Sequence, residues 1–167
     1  MDFFETVKTR RSIRRYKKSG VISKEDLLKI AQAGSCAPSA RSVNPWKFVI
    51  LTEKDRIIGL EKIIGNNGRF LADASAAIVI ICEDTKYYLE DGCAAAQNIL
   101  LAVRALGFGA CWIAGDKKDY CEEVLKYLEA PSGFRLICSI AIGIPDENPV
   151  KEKPEIGTVV KWERYQE

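Results

Sequence analysis

Seven consecutive apolar residues, Ala76-Ala77-Ile78-Val79-Ile80-Ile81-Cys82, restrict this chain more than any other stretch. The run is rich in β-branched side chains and far too short to span a bilayer, so it reads as a central strand buried on both faces. Such a strand needs cover on each side. The flanking sequence supplies helical patterns, and helices alternate with strands along the chain. An α/β or α+β sandwich follows from that pattern alone.

The remaining elements can be placed around this strand. Residues 2–9 read as a short amphipathic helix with Phe3, Phe4 and Val7 inward. Ser23 is an N-cap, with Glu25 and Asp26 in the first turn of a helix that carries Leu27, Leu28, Ile30 and Ala31 and ends near Gly34. Trp46 to Leu51 is a strand. Thr52 is expected to cap a third helix through Ile57, Leu60 and Ile64, which stops at Gly65. Residues 91–106 form the longest helix, apolar on nearly every face and therefore expected to be buried all round, in part against another subunit. Ala110 to Ile113 is a short strand, 117–128 a helix, and Leu136 to Ile144 a strand. From Pro145 the chain turns to Pro, Lys and Glu and reads as an extended arm, whose end, Val159 to Tyr165, carries large apolar groups that need a surface.

The chain has 167 residues, the size of one domain, and no linker or repeat divides 1–167. Net charge is +2, which gives no case for nucleic acid or an anionic membrane. No signal peptide is visible at Met1-Asp2-Phe3-Phe4-Glu5, and a cytoplasmic protein is expected. The six cysteines form no Cys-x-x-Cys pair, so neither a metal site nor disulfides are expected. There is no histidine at all. That excludes a Ser-His-Asp triad, a Cys-His pair and an imidazole acid or base. Enzymatic chemistry in such a chain calls for a cofactor rather than a catalytic side chain.

Two motifs carry chemistry. Arg10-Arg11-Ser12-Ile13-Arg14-Arg15-Tyr16 packs four arginines and a hydroxyl into six residues. Forked charged donors with one neutral donor suit a bound phosphate. Ala37-Pro38-Ser39-Ala40-Arg41-Ser42-Val43-Asn44-Pro45-Trp46-Lys47-Phe48 is a polar turn running into a strand. It can set backbone groups and small side chains against a flat ligand. There is no Gly-x-Gly-x-x-Gly after a first strand and no Walker loop, so a Rossmann dinucleotide site is not supported.

The order and spacing of these motifs resemble the FMN-dependent nitroreductase family. Its members open with a helix ending in Arg-x-Ser-x-Arg/Lys, followed by Pro-Ser-x-x-x-x-Gln/Asn-Pro-Trp-x-Phe. The resemblance implies an α+β fold: a central mixed or antiparallel sheet flanked by helices, dimeric, with an extended C-terminal arm. It implies that Arg10, Ser12 and Arg14 meet the FMN phosphate and ribityl chain, with Arg11 near the ribityl or ring edge. Pro38, Ser39 and Ala40 would cover the flavin of the partner subunit, with Asn44 in the usual glutamine position. Asn67 and Arg69 would meet the pyrimidine edge. Trp112, Ile113, Ala114 and Gly115 would line the ring, and Lys151 or Lys153 would close over the phosphate. Ala40 stands where many members have serine, and Ala114 where some larger members have an acid.

The implied function is an NAD(P)H-dependent FMN oxidoreductase acting on nitroaromatics, quinones or similar electron-poor acceptors. NADH or NADPH would be the donor, and no side chain would be catalytic. A flavin carrier or sensor without turnover would share the same motifs. A specialised relative, for reductive dehalogenation or flavin breakdown, would need a lid segment for which the span from Leu51 to Ala76 leaves little room.

Overall fold

The apolar run forms the second of four strands. The computed structural model describes residues 1–165. Its strands are β1 Trp46–Leu51, β2 Ala76–Glu83, β3 Gly109–Ala114 and β4 Phe134–Gly143. They pair antiparallel throughout, in the order β1-β2-β4-β3. The helices are α1 Phe3–Thr9, α2 Lys24–Ser35, α3 Lys54–Ile64, α4 Tyr88–Ala105, α5 Cys121–Tyr127 and the four-residue α6 Ile156–Val159. Two 3₁₀ stretches, Ala40–Ser42 and Gly65–Asp73, complete the backbone.

Alternation along β2 builds two cores. Ala76, Ile78, Ile80 and Cys82 face Leu27 and Ile30 of α2 and Ala95, Ala96, Ile99 and Val103 of α4. Ala77, Val79 and Ile81 face Ile57, Leu60 and Ile64 of α3 and Val124 and Leu125 of α5. Burying each Ile or Val here contributes about 1.5–3 kcal/mol. Sequential residues therefore hold two helical layers onto one sheet. A slip in register between Ile80 and Ile81 leaves Ile137 of β4 as the extra residue of a bulge.

Several sequence expectations need correction. Phe3, Phe4 and Val7 do not face this chain's core: Phe4 is 81 % exposed, while Thr6 is the buried residue of α1. Helix α4 buries one face only. Cys93, Ala94, Leu101 and Ala102 are half-buried and Gln97 is exposed. Glu53, not Thr52, occupies the N-cap of α3, without a side-chain bond. The expected helix 117–128 is shortened to α5, because Lys117 takes a positive φ of 63° and the chain turns before Cys121. Ser23 does cap α2, its hydroxyl accepting from Asp26 N. Gly65 ends α3 with φ 67°.

The N-terminal arginine segment is docked along the edge of this sheet. Ser12 bridges Ala110 of β3 in parallel, and Tyr16 bridges Pro145 antiparallel. Two glycines make room for it. A Cβ on Gly109 would lie 2.9 Å from Ile13, and one on Gly143 would lie 2.7 Å from the Tyr16 ring. The Tyr16 hydroxyl donates to the carbonyls of Ile13 (2.6 Å) and Ala141 (3.2 Å). Burial pushes its pKa well above the ordinary tyrosine value.

Candidate functional site

Arg10 ends α1, with its N–H still bonded to the Thr6 carbonyl, and the chain leaves in an extended course. Ile13 N donates to Ala110 O at 2.9 Å, so the Ile13 side chain enters the core. Side chains alternate in extended chain, which gives Arg10, Ser12 and Arg14 one common side. These three, with Arg11, line a cavity of about 690 Å³ closed by Pro149, Lys151, Glu152, Lys153 and Pro154. Five cationic residues and a hydroxyl thus surround one space with one acid among them.

The backbone beneath is fixed from behind. Glu147 Oε1 accepts from Arg14 N at 2.5 Å and Arg15 N at 3.1 Å, and Oε2 pairs with Arg15 Nε at 3.4 Å. These bonds hold the Glu147 carboxyl below the ordinary carboxylate value, the Arg14 N–H being the largest cause. Arg14 also lies over Phe70, with 5.9 Å from guanidinium carbon to ring centroid. That contact ties Arg14 to the Gly65–Asp73 stretch, while Asn67 and Arg69 are not among the residues lining the cavity. Lys153 is open to solvent, yet loss of hydration against the cavity and then the charges of Arg10 and Arg11 lower its ammonium pKa.

Trp112 and Ile113 pack as strand core, half-buried and buried respectively. Ala114 is exposed. The Ala110 carbonyl faces the Ile13 segment, so with a period of two the backbone groups of Trp112 and Ala114 face the open edge of β3. Tyr120 Oη donates to the Ala114 carbonyl and Cys121 Sγ to the Gly115 carbonyl. Gly115 answers a packing demand. A Cβ there would lie 2.7 Å from the Ile137 carbonyl oxygen. Cys111 lies beside Ser12 beneath this edge, and burial raises its thiol pKa against the opposing influence of Arg14 and the Ser12 bond.

Pro38, Ser39, Ala40 and Asn44 are not brought to this cavity within one chain. They form a turn pinned on α4, where Ala40 N donates to the buried Asp91 at 2.9 Å. Ser39 Oγ accepts from Asn44 N at 2.9 Å and lies 2.8 Å from Asn44 Oδ1. Arg41, Ser42 and Asn44 all have φ between 51° and 55°, a left-handed conformation that costs most residues about 1 kcal/mol. Ala40 and Arg41 line a separate, smaller cavity with Lys86, Tyr87 and Asp91. Sequence reasoning missed Glu147, Asp91 and the two docking glycines. Asp91 alone had a visible signal, as an acid in the most apolar helix.

A profile of the Nitroreductase family matches residues 7–87 and 66–144, a span that includes both motifs and all four strands. The chain belongs to the nitroreductase family. A Methanothermobacter thermautotrophicus relative, provisionally named an NADH dehydrogenase/NAD(P)H nitroreductase, is 35 % identical over 158 residues, covering 89 % of this chain and 80 % of its own. The solved FMN-dependent nitroreductase of Clostridium difficile superposes with a TM-score of 0.84 at 31 % identity, covering 98 % of each chain. An iodotyrosine deiodinase of Thermotoga neapolitana is 25 % identical over 188 aligned positions, covering 97 % of this chain and 98 % of its own. The antiparallel sheet flanked by helices is thus a nitroreductase fold. No helix among the described residues is long and apolar enough to cross a membrane.

Proposed function

We propose that this chain binds FMN and uses NADH or NADPH to reduce nitroaromatics, quinones or similar electron-poor acceptors in alternating half-reactions. The observation that carries the reading is the convergence of Arg10, Ser12, Arg14, Lys151 and Lys153 on one cavity beside the open edge of β3. The donor set fits a phosphomonoester: forked guanidinium groups, an ammonium and a neutral hydroxyl. The lowered Lys153 pKa, set by lost hydration and then by the charges of Arg10 and Arg11, fits a site built to take an anion. Bound FMN would supply the redox chemistry that a chain without histidine lacks.

The chain's own groups bind and orient. Arg10, Ser12 and Arg14 hold the phosphate, Lys151 or Lys153 closes over it, and Asn67 and Arg69 take the pyrimidine edge. The N–H groups of Trp112 and Ala114 face the ring from the edge of β3, and neighbouring guanidinium charge favours negative charge there. Residues 1–167 act as one FMN-binding unit and pair as a homodimer, in which Pro38, Ser39, Ala40 and Asn44 cover the partner's flavin. Six free thiols suit a reducing, cytoplasmic location.

Reductive dehalogenation is the second reading, favoured by the full-length likeness to the Thermotoga deiodinase. Against it, that alignment carries inserted positions, and residues 52–75 here are taken up by α3 and the 3₁₀ stretch packed on the sheet. The test is direct. The purified protein should be yellow, release FMN identified by mass, and lose flavin absorbance when mixed anaerobically with NADH or NADPH. A colourless protein that takes up no FMN rejects the reading. A flavin that stays oxidised makes the chain a carrier or sensor.

A further inference from the structure

The Arg11 guanidinium is committed to carbonyls. Nη1 donates to Lys8 O at 2.8 Å and Arg10 O at 2.9 Å, and Nη2 donates to Lys151 O at 2.8 Å. Nε is buried and without a partner. The Lys8 carbonyl belongs to the last turn of α1, where carbonyls lack intrahelical donors and the helix dipole favours a cation. One side chain therefore caps a helix and grips a segment 140 residues away.

That grip matters because the arm has little else to hold it. Backbone bonds zip residues 144–146 to Arg15 and Lys17, and Glu147 clamps Arg14 and Arg15. Beyond Glu147, among the described residues, the Arg11 bond to Lys151 O is the one hydrogen bond joining residues 148–154 to the body. Lys153 follows two residues later, about 7 Å of extended chain, and lines the same cavity as Arg10 and Arg11. Arg11 lines the same cavity as Arg10, Ser12 and Arg14, but its Nη1 is spent on two carbonyls and its Nη2 on a third. Lysine cannot replace it, since a single ammonium lacks the planar fork that reaches three carbonyls in two directions.

We propose that Arg11 is a positioning residue: it clasps the arm to the end of α1 and thereby presents Lys153 to the phosphate of the flavin. The proposal rests on the FMN reading of the cavity. It differs from a phosphate-ligand role in what it couples, and a double-mutant cycle reads that difference.

The experiment compares wild type, Arg11→Gln, Arg11→Lys, Lys153→Ala and Arg11→Gln/Lys153→Ala. FMN and riboflavin affinities are measured by titration of flavin-free protein. Tryptic cleavage after Lys151 is timed without flavin and identified by mass. Arg11→Gln should weaken FMN about tenfold and leave riboflavin binding nearly unchanged, which also shows that the variant is folded. Lys153→Ala should weaken FMN comparably in the wild-type background and at most about twofold when Arg11 is already Gln. Arg11→Lys should not rescue. Cleavage after Lys151 should accelerate at least several-fold in Arg11→Gln and not in Lys153→Ala. Multiplicative losses in the cycle overturn the presentation of Lys153, and unchanged cleavage overturns the clasp. If wild type binds neither flavin, the FMN reading fails, and the cleavage rates still decide whether Arg11 holds the arm.

Discussion

Arg10, Ser12 and Arg14 point to the same side of an extended segment whose other side is anchored in the core. Charge-assisted hydrogen bonds contribute about 1.5–3 kcal/mol each. Arg10→Ala with Ser12→Ala should therefore lower FMN affinity at least about tenfold, measured as flavin retained after dialysis. Unchanged retention would remove both residues from the site. Glu147 makes a different prediction. Its folded pKa is depressed by the Arg14 and Arg15 N–H groups, so its contribution to stability is present above the ordinary carboxylate value of about 4.3. The contribution is lost as pH falls through the depressed value. The difference in Tm between wild type and Glu147→Gln should be constant from about pH 7 to 5 and close below about pH 4. A difference that persists undiminished at pH 3 would mean that the charge is not what holds the segment. The arginines were legible because charge of one sign clusters in sequence. Glu147 was not, since its partners are backbone N–H groups 133 and 132 residues away and an acid in a Pro- and Lys-rich arm looks like any solvated residue.

At the scale of elements, the sequence was most legible where burial is total. Every residue of Ala76–Cys82 is buried, so no tertiary choice was left open. It was least legible where a short element has two possible faces. Helix α1 has seven residues and turns its apolar side outward, a decision made by whatever covers it rather than by its own pattern. The docking of the arginine segment depends on Gly109 and Gly143, whose role appears only when Ile13 and Tyr16 are seen against them. Gly143→Ala places a methyl 2.7 Å from the Tyr16 ring, an overpacking that costs about 1–3 kcal/mol. It should lower Tm and flavin affinity together, because the ring carries the arginine segment with it. A Tm drop with flavin affinity intact would separate the sheet edge from the site. The turn at Ala40–Asn44 is held in a strained conformation with the buried Asp91 as its one bond to α4. Asp91→Ala should relax it, raising KM for the acceptor more than it lowers kcat, and Asp91→Asn, which keeps an accepting oxygen for Ala40 N, should restore much of the loss. Equal effects of the two substitutions would assign the residue to packing alone.

The whole molecule carries more surface than its mass warrants. The chain exposes 10339 Å², whereas a compact monomer of 18.6 kDa exposes about 8,200 Å². The excess of about 2,000 Å² matches the area that one subunit contributes to a large obligate homodimer interface. Its composition points the same way. Phe3, Phe4, Trp162 and Tyr165 are between 65 % and 82 % exposed, and soluble monomers rarely leave such apolar groups in contiguous patches. These residues lie at the two ends of the chain, in α1 and in the tail after α6, so a second copy could cover both with one symmetric exchange. The turn at Pro38–Asn44, which does not reach the cavity of its own chain, would then have a cavity to serve. The protein should sediment as a dimer at micromolar concentration. Deletion from Ile156 onward should give aggregates or monomers that lose flavin, since removing the tail strips apolar contact from both copies. A monodisperse monomer that keeps its FMN, with or without the tail, would overturn the dimer and would leave the exposed aromatics needing another partner.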